Sequence, residues 1–116
     1  VPDSGVDLLL RLGGSPEGVA TTVAIQVLGG FMQTRFAPQD PDQIERALEA
    51  NYDIERKFEL EELASGDDFI FVLTGITDGI LANGVRENDD SLEIQSFVLD
   101  SKIGQGLIVD VRVPRN

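Results

Sequence analysis

Gly13-Gly14-Ser15-Pro16-Glu17-Gly18 stands between an apolar run, Val6-Asp7-Leu8-Leu9-Leu10-Arg11-Leu12, and a segment with helical spacing. The apolar run predicts a buried strand, ended by the paired glycines. Ser15 then predicts an N-cap with Pro16 as first helical residue, where its missing N–H costs nothing. From Gly18 to Leu28 the chain is rich in Val, Ile and Thr, which are mediocre helix formers. Val19/Val23/Val27 and Ala20/Ala24/Leu28 nevertheless recur four residues apart, which predicts a buried helix with Gly29-Gly30 as its C-terminal stop.

Beyond the helix, Phe31–Phe36 predicts a second strand. Asp40-Pro41-Asp42-Gln43 predicts a capping-box helix start, with Asp40 as N-cap, Pro41 at N1 and Gln43 at N3. That helix should run to about Asn51 and bury Ile44, Leu48 and Ala47. Phe58–Ala64 reads as a short helix or turn, and Phe69-Ile70-Phe71-Val72-Leu73 as a strand buried on both faces. Leu92/Ile94/Val98 and Leu107/Val109/Val111/Val113 alternate with polar residues, so 101–105 joins two strands of a hairpin. Glu87-Asn88-Asp89-Asp90 reads as a charged turn. The order β-α-β-α-β-β-β predicts an α/β fold: a mixed sheet with flanking helices, the first strands parallel, and a C-terminal antiparallel hairpin.

Composition bounds the chemistry. The 116 residues suffice for a single domain, 1–116, with a core. Histidine and cysteine are both absent, which excludes disulfides, thiolate nucleophiles, histidine–zinc sites and histidine acid–base catalysis. A formal charge of −12 without a Lys/Arg cluster argues against nucleic acid. No stretch reaches the roughly 20 apolar residues of a membrane helix, so neither nucleic acid nor membrane is an expected partner. The expected compartment is the cytoplasm, with a plastid kept as alternative. Val1 rather than Met opens the chain, and the expectation is a trimmed or processed piece, or one half of something longer.

Two glycine-rich loops carry the candidate chemistry. Gly14 and Ser15 lie where free helix N–H groups and the positive helix end can meet an anion, and the adjacent Glu17 carboxylate can ligate Mg²⁺ or Mn²⁺. The plain alternative is a tight strand-to-helix turn with a dipole-stabilised acid. No lysine follows, so this is not a Walker-type phosphate loop. Thr74-Gly75-Ile76-Thr77-Asp78-Gly79 is the second loop. If both leave one sheet edge, Glu17, Thr77 and Asp78 face one cleft; otherwise Asp78-Gly79 is simply a turn. Arg35 can meet a phosphate bidentately or be an ordinary surface arginine. Asp67-Asp68 and Glu59/Glu61/Glu62 read as solvated charges.

Together these segments resemble class II fructose-1,6-bisphosphatase, a family that includes cyanobacterial enzymes also acting on sedoheptulose-1,7-bisphosphate. The matching residues are Pro2-Asp3-Ser4-Gly5-Val6-Asp7, the Gly-Gly-Ser-Pro-Glu-Gly of 13–18, Leu28-Gly29-Gly30, Met32-Gln33 and Arg35. They continue through Gly66-Asp67-Asp68 and Thr74–Gly79 to Gly84-Val85-Arg86, so nearly the whole chain is covered. The resemblance implies a fold similar to the lithium-sensitive sugar and inositol phosphatases (inositol monophosphatase-like). It also implies Mn²⁺- or Mg²⁺-dependent removal of a sugar 1-phosphate and a homo-oligomeric state. It assigns metal ligation to Glu17 and a backbone substrate contact to Gly14; Ser15, Arg35, Thr77 and Asp78 are further substrate-facing candidates. Phe31 stands where the family usually has an acid, and Ser15 where it usually has Ala. The match is to the C-terminal portion alone; the family's other metal carboxylates and its Asp-Gly-Asp motif fall upstream. The expected partners are therefore a sugar bisphosphate and a missing N-terminal catalytic portion, and the chain by itself should be inactive. The rival reading is a stand-alone, non-catalytic assembly or ligand-sensing module of the same ancestry, favoured by Phe31. A generic nucleotide-binding domain lacks both its lysine and its Gly-x-Gly spacing.

Overall fold

The computed structural model describes residues 4–115; Pro2 and Asp3 of the matched amino-terminal stretch lie outside the described residues. The elements are α1 (Ser15–Val27), β1 (Gln33–Arg35), α2 (Pro41–Glu49), β2 (Lys57–Glu59), α3 (Leu60–Leu63), β3 (Ile70–Thr74), β4 (Arg86–Glu87), β5 (Ser91–Asp100) and β6 (Gln105–Pro114).

The last two strands form the expected hairpin. Their β-branched, period-two pattern pairs all ten residues of β5 with β6, from Ser91 opposite Pro114 to Asp100 opposite Gln105. The opposite edge of β5 is shared by β3, with Ile70 facing Asp100 and Thr74 facing Ser96, and by β4, with Arg86 facing Glu93. A separate two-stranded ribbon pairs β1 with β2.

Register divides the larger sheet into two unlike faces. One carries Phe71, Leu73, Phe97 and Leu99, and α1 and α3 lie nearby, α1 touching both β3 and β5. Leu99 is 2% exposed there and, with Leu60 and Ala82, makes up the fully buried apolar set among the described residues. The other face carries Val72, Val98, Ile94, Val111, Val109 and Val113 and has no covering layer: Val72 is 56% exposed and Val111 47%.

Several sequence expectations change. Val6–Leu12 is not a strand: it is extended chain without ladder partners, with Leu10 85% exposed. An apolar run becomes a strand only beside another strand, and the described residues offer it none. The sheet is not mixed; every pairing is antiparallel, the early β1–β2 pair included, because the intervening chain returns as a ribbon and not as a crossover. β3 is not buried on both faces. The helix after Gly14 is only half-buried; Thr22 is its fully buried residue, and Val19 and Leu28 are exposed. It starts earlier than expected and stops at Val27, where Gly29 follows in the left-handed conformation as foreseen. The capping start of α2 is as read: the Gln43 amide donates to Asp40 Oδ1 at 2.8 Å. Yet its stripe is uncovered, with Ile44 and Leu48 exposed and Ala47 only half-buried. Phe58–Ala64 resolves into β2 followed by the single turn α3.

The chain is more open than a self-contained domain of its length. Its Cα radius of gyration is 17.7 Å, against about 13 Å for a compact domain of this size. Its accessible surface is 8932 Å², where a folded monomer of this mass exposes about 6,200 Å². Leu99 is thus one of few residues whose loss empties a filled site. Leu99→Ala should lower unfolding free energy by about 2–5 kcal/mol, read from the urea midpoint at unchanged slope. A midpoint shift near zero would show that the sheet does not rest on that contact.

Candidate substrate- and metal-facing site

The first glycine loop ends in an N-cap, and the cap is Gly14, not Ser15. Ser15 and Pro16 occupy the first two helical positions and Glu17 the third, with the Gly18 amide donating to the Gly14 carbonyl at 3.0 Å. No side chain caps the helix, so its first amides are open to an acceptor. The shift has a steric counterpart. The Glu17 carboxylate folds back over Gly14 so closely that a side chain at position 14 would collide with it. A carboxylate, a glycine without a side chain and unpaired helix N–H groups therefore share one exposed corner. Ser15, expected as the N-cap, stands in this corner without a capping bond.

The second loop is rigid for a different reason. Gly75 and Gly84 are buried where two backbone segments cross. A side chain on Gly75 would strike the Asn83 carbonyl, and one on Gly84 the backbone of Ile76 and Thr77. Backbone bonds tie the crossing: Gly75 N–H to the Gln95 carbonyl at 3.0 Å, Val85 N–H to the Ile76 carbonyl at 3.1 Å. The Gln95 side chain accepts from the Asn83 amide at 2.8 Å. Asp78 closes the loop, its Oδ1 accepting from the Gly84 amide at 2.8 Å and from Arg86 Nη2 at 2.7 Å. The Gly84 bond and then the arginine hold the Asp78 carboxyl below its ordinary value. Arg86, which the sequence reading carried only as part of a motif, is thus the direct partner of Asp78. Thr77 lies exposed beside this clasp.

Arg35 closes the β1–β2 ribbon opposite Lys57 and is exposed. Two cations therefore face each other across a ladder in a strongly acidic chain, and neither forms an ion pair among the described residues. Glu59 and Glu62, read as solvated charges, bond Gln33 and Arg56. Asp68 lies 3.8 Å from Lys102.

The C-terminal end of α1 borders a cavity of about 400 Å³ together with Phe69 and Ser101, at the start of β3. The cavity itself was not legible in the sequence, and Gln26 Oε1 is buried beside it without a hydrogen-bond partner. No hydrogen bond or ion pair among the described residues joins Glu17 to Thr77 or Asp78. Nor do the described residues contain a group of three or more acidic side chains placed to hold a metal. Glu17 can offer one ligand; a hard divalent cation takes six or more oxygens.

The whole of residues 1–112 matches the family model described as bacterial fructose-1,6-bisphosphatase, glpX-encoded. The chain belongs to this family. It is 32% identical to the class 2 fructose-1,6-bisphosphatase of Haemophilus influenzae over 88% of this chain and 34% of that protein. It is 31% identical to fructose-1,6-bisphosphatase 2 class 2 of Escherichia coli, over 84% of the chain and 34% of that relative. It is 33% identical to the D-fructose 1,6-bisphosphatase class 2/sedoheptulose 1,7-bisphosphatase of Prochlorococcus marinus, again over 84% and 34%. The chain spans about a third of the length of the curated relatives it matches. No helix among the described residues is long and apolar enough to cross a membrane.

Family membership gives the Asp78 clasp a solution test. Its folded carboxyl titrates below the ordinary 3.8. Its contribution is therefore complete above that value and is lost as pH falls through the lower folded value. The Gly84 amide resonance should titrate with a midpoint below 3.8, and Asp78→Asn should abolish the titration. A midpoint at or above the ordinary value would remove the clasp.

Proposed function

We propose that this chain is one portion of a metal-dependent sugar-bisphosphate 1-phosphatase acting on fructose-1,6-bisphosphate and, as second substrate, sedoheptulose-1,7-bisphosphate. The observation that carries the reading is the corner at the start of α1. There the Glu17 carboxylate lies against Gly14 beside helix amides that no side chain of the chain satisfies. A phosphate oxygen can accept from those amides and is favoured by the positive helix end. Glu17 supplies one oxygen to Mn²⁺ or Mg²⁺ at the rim of the same corner.

When bound, the metal supplies Lewis acidity toward the phosphate and the attacking water. The chain's own residues bind and orient. Gly14 and Ser15 offer backbone N–H groups. Arg35 offers a guanidinium not engaged by a carboxylate among the described residues. Thr77 offers a hydroxyl on a loop that Asp78, Gly84 and Arg86 hold fixed. Asp78 already accepts two hydrogen bonds, so its role is to position Thr77 and the loop more than to touch the sugar. The remaining metal ligands belong to the part of the family's length outside this chain, and the working enzyme is expected to be homo-oligomeric.

The alternative of a stand-alone assembly or sensing module rests on Phe31, which is exposed in place of the family's usual acid. The surplus of about 2,700 Å² over the area a folded monomer exposes weighs against a chain that stands alone.

Two results test the proposal. The 116-residue chain should release no phosphate from fructose-1,6-bisphosphate with Mn²⁺; turnover at enzyme-like rates would overturn the divided site. In the longest native form, Glu17→Gln should lower Mn²⁺-dependent turnover by at least about 100-fold, the scale of one lost charge-stabilising group. Unchanged turnover would remove Glu17 from the metal.

A further inference from the structure

The face of the larger sheet opposite α1 is built from β-branched residues of three adjacent strands. Val72 comes from β3, Ile94 and Val98 from β5, and Val109, Val111 and Val113 from β6. The register puts them on one side, and the 2.8 Å bond between Thr74 Oγ1 and Ser96 Oγ on that side confirms the shared orientation. The polar pair Gln95–Asp110 lies on the other. This distribution is the reverse of what a solvated antiparallel sheet shows, where the outer face is polar. It is the pattern of a sheet covered on both faces.

We infer that this face is the seat on which the rest of the family's length docks, through a layer of apolar side chains. The inference rests on the proposed divided enzyme and names the surface that joins its parts. Three observations select this occupant. The relatives are about three times as long as the chain, so most of their mass lies outside it. The chain exposes about 2,700 Å² more than a folded monomer of its mass, whereas a standard interface covers only about 800 Å² per partner. The surplus also extends to the exposed Val6–Leu12 run, so the occupant has to cover two separate surfaces. A second copy meets the chain through one self-complementary patch; the remaining two thirds of a single protein can reach both.

The absence of cysteine from the chain permits a footprint. Val72→Cys, Val111→Cys and, as control, Glu45→Cys on exposed α2 are introduced singly into the gene that encodes the protein and into the 116-residue chain. Thiol labelling is followed at each site by mass spectrometry. In the isolated chain all three should react at the rate of a free thiol. In the protein as its gene encodes it, positions 72 and 111 should react at least about 30-fold more slowly, with position 45 unchanged. Equal reactivity at 72 and 111 in both forms would overturn the inference. So would protection in the isolated chain accompanied by a doubled mass in solution, because the occupant would then be a second copy. Should position 72 or 111 disturb folding, Val109→Cys gives the same reading. Labelling reports packing and not turnover. A protected face with Glu17-independent turnover would sink the metal assignment alone, and a reactive face with Glu17-dependent turnover would sink the docking alone.

Discussion

The structure hangs on the two-sided pairing of β5. Along one edge all ten of its residues pair with β6; along the other it holds β3 and β4 in tandem. The larger sheet and α1 are tied to this strand. Leu99, near its end, is the most deeply buried apolar side chain among the described residues. Just past it, the Ser101 amide donates to the Phe69 carbonyl, and Ser101 Oγ accepts from the Phe69 amide, fixing the entrance of β3. At its middle, Gln95 uses both its carbonyl and its side chain to hold the 75–85 loop. A strand bonded on both edges spends its backbone polar groups locally. It can therefore position neighbouring elements without the deep core that the chain lacks.

How far the sequence was legible follows from the range of the interactions that decide each element. The β5–β6 hairpin and the start of α2 depend on contacts a few residues apart: alternating β-branched residues with a short turn, and an aspartate three residues from the amide it caps. Those were readable. Val6–Leu12, β3 and the stripe of α2 were each read as buried because they are apolar. In this chain apolar character marks surface intended for cover that the described residues do not provide. Hydrophobic pattern reports that a face is to be buried and says nothing of which chain buries it. The expectation of parallel strands failed for a related reason. Strand direction is a long-range property, and a ribbon closing within a few tens of residues leaves no room for a crossover.

The candidate site shows the same division. Its local parts were recoverable from spacing: glycines at a helix start, a carboxylate in the first turn, an Asp-Gly loop behind a strand. The N-cap position was not: Gly14 is the extended residue before the helix, and Ser15 makes no capping bond. In the sequence Asp78 could be read either as an acid facing a cleft or as part of a plain Asp-Gly turn. Its partners Gly84 and Arg86 lie six and eight residues on, across a backbone crossing that only Gly75 and Gly84 permit. Gly75 and Gly84 in that loop are thus accounted for by backbone passing backbone.

These two loops therefore differ in kind. The 75–85 loop is internally bonded: its aspartate accepts two hydrogen bonds, and Gly75 and Gly84 lie against neighbouring backbone. The corner at Gly14 is the reverse, with helix amides that no side chain caps and a carboxylate without an ion pair among the described residues. On the proposed divided site another component completes this corner; by itself, an acid beside open helix amides is a modest stabilising contact that solvent also serves. The apolar face of the sheet is incomplete in the same sense, for dispersion and hydration in place of charge. On the proposed divided enzyme, both are surfaces that the rest of the protein would complete. The parts that are whole, β5 with its partners and the Asp78 clasp, are those that hold the incomplete surfaces in fixed relation to one another.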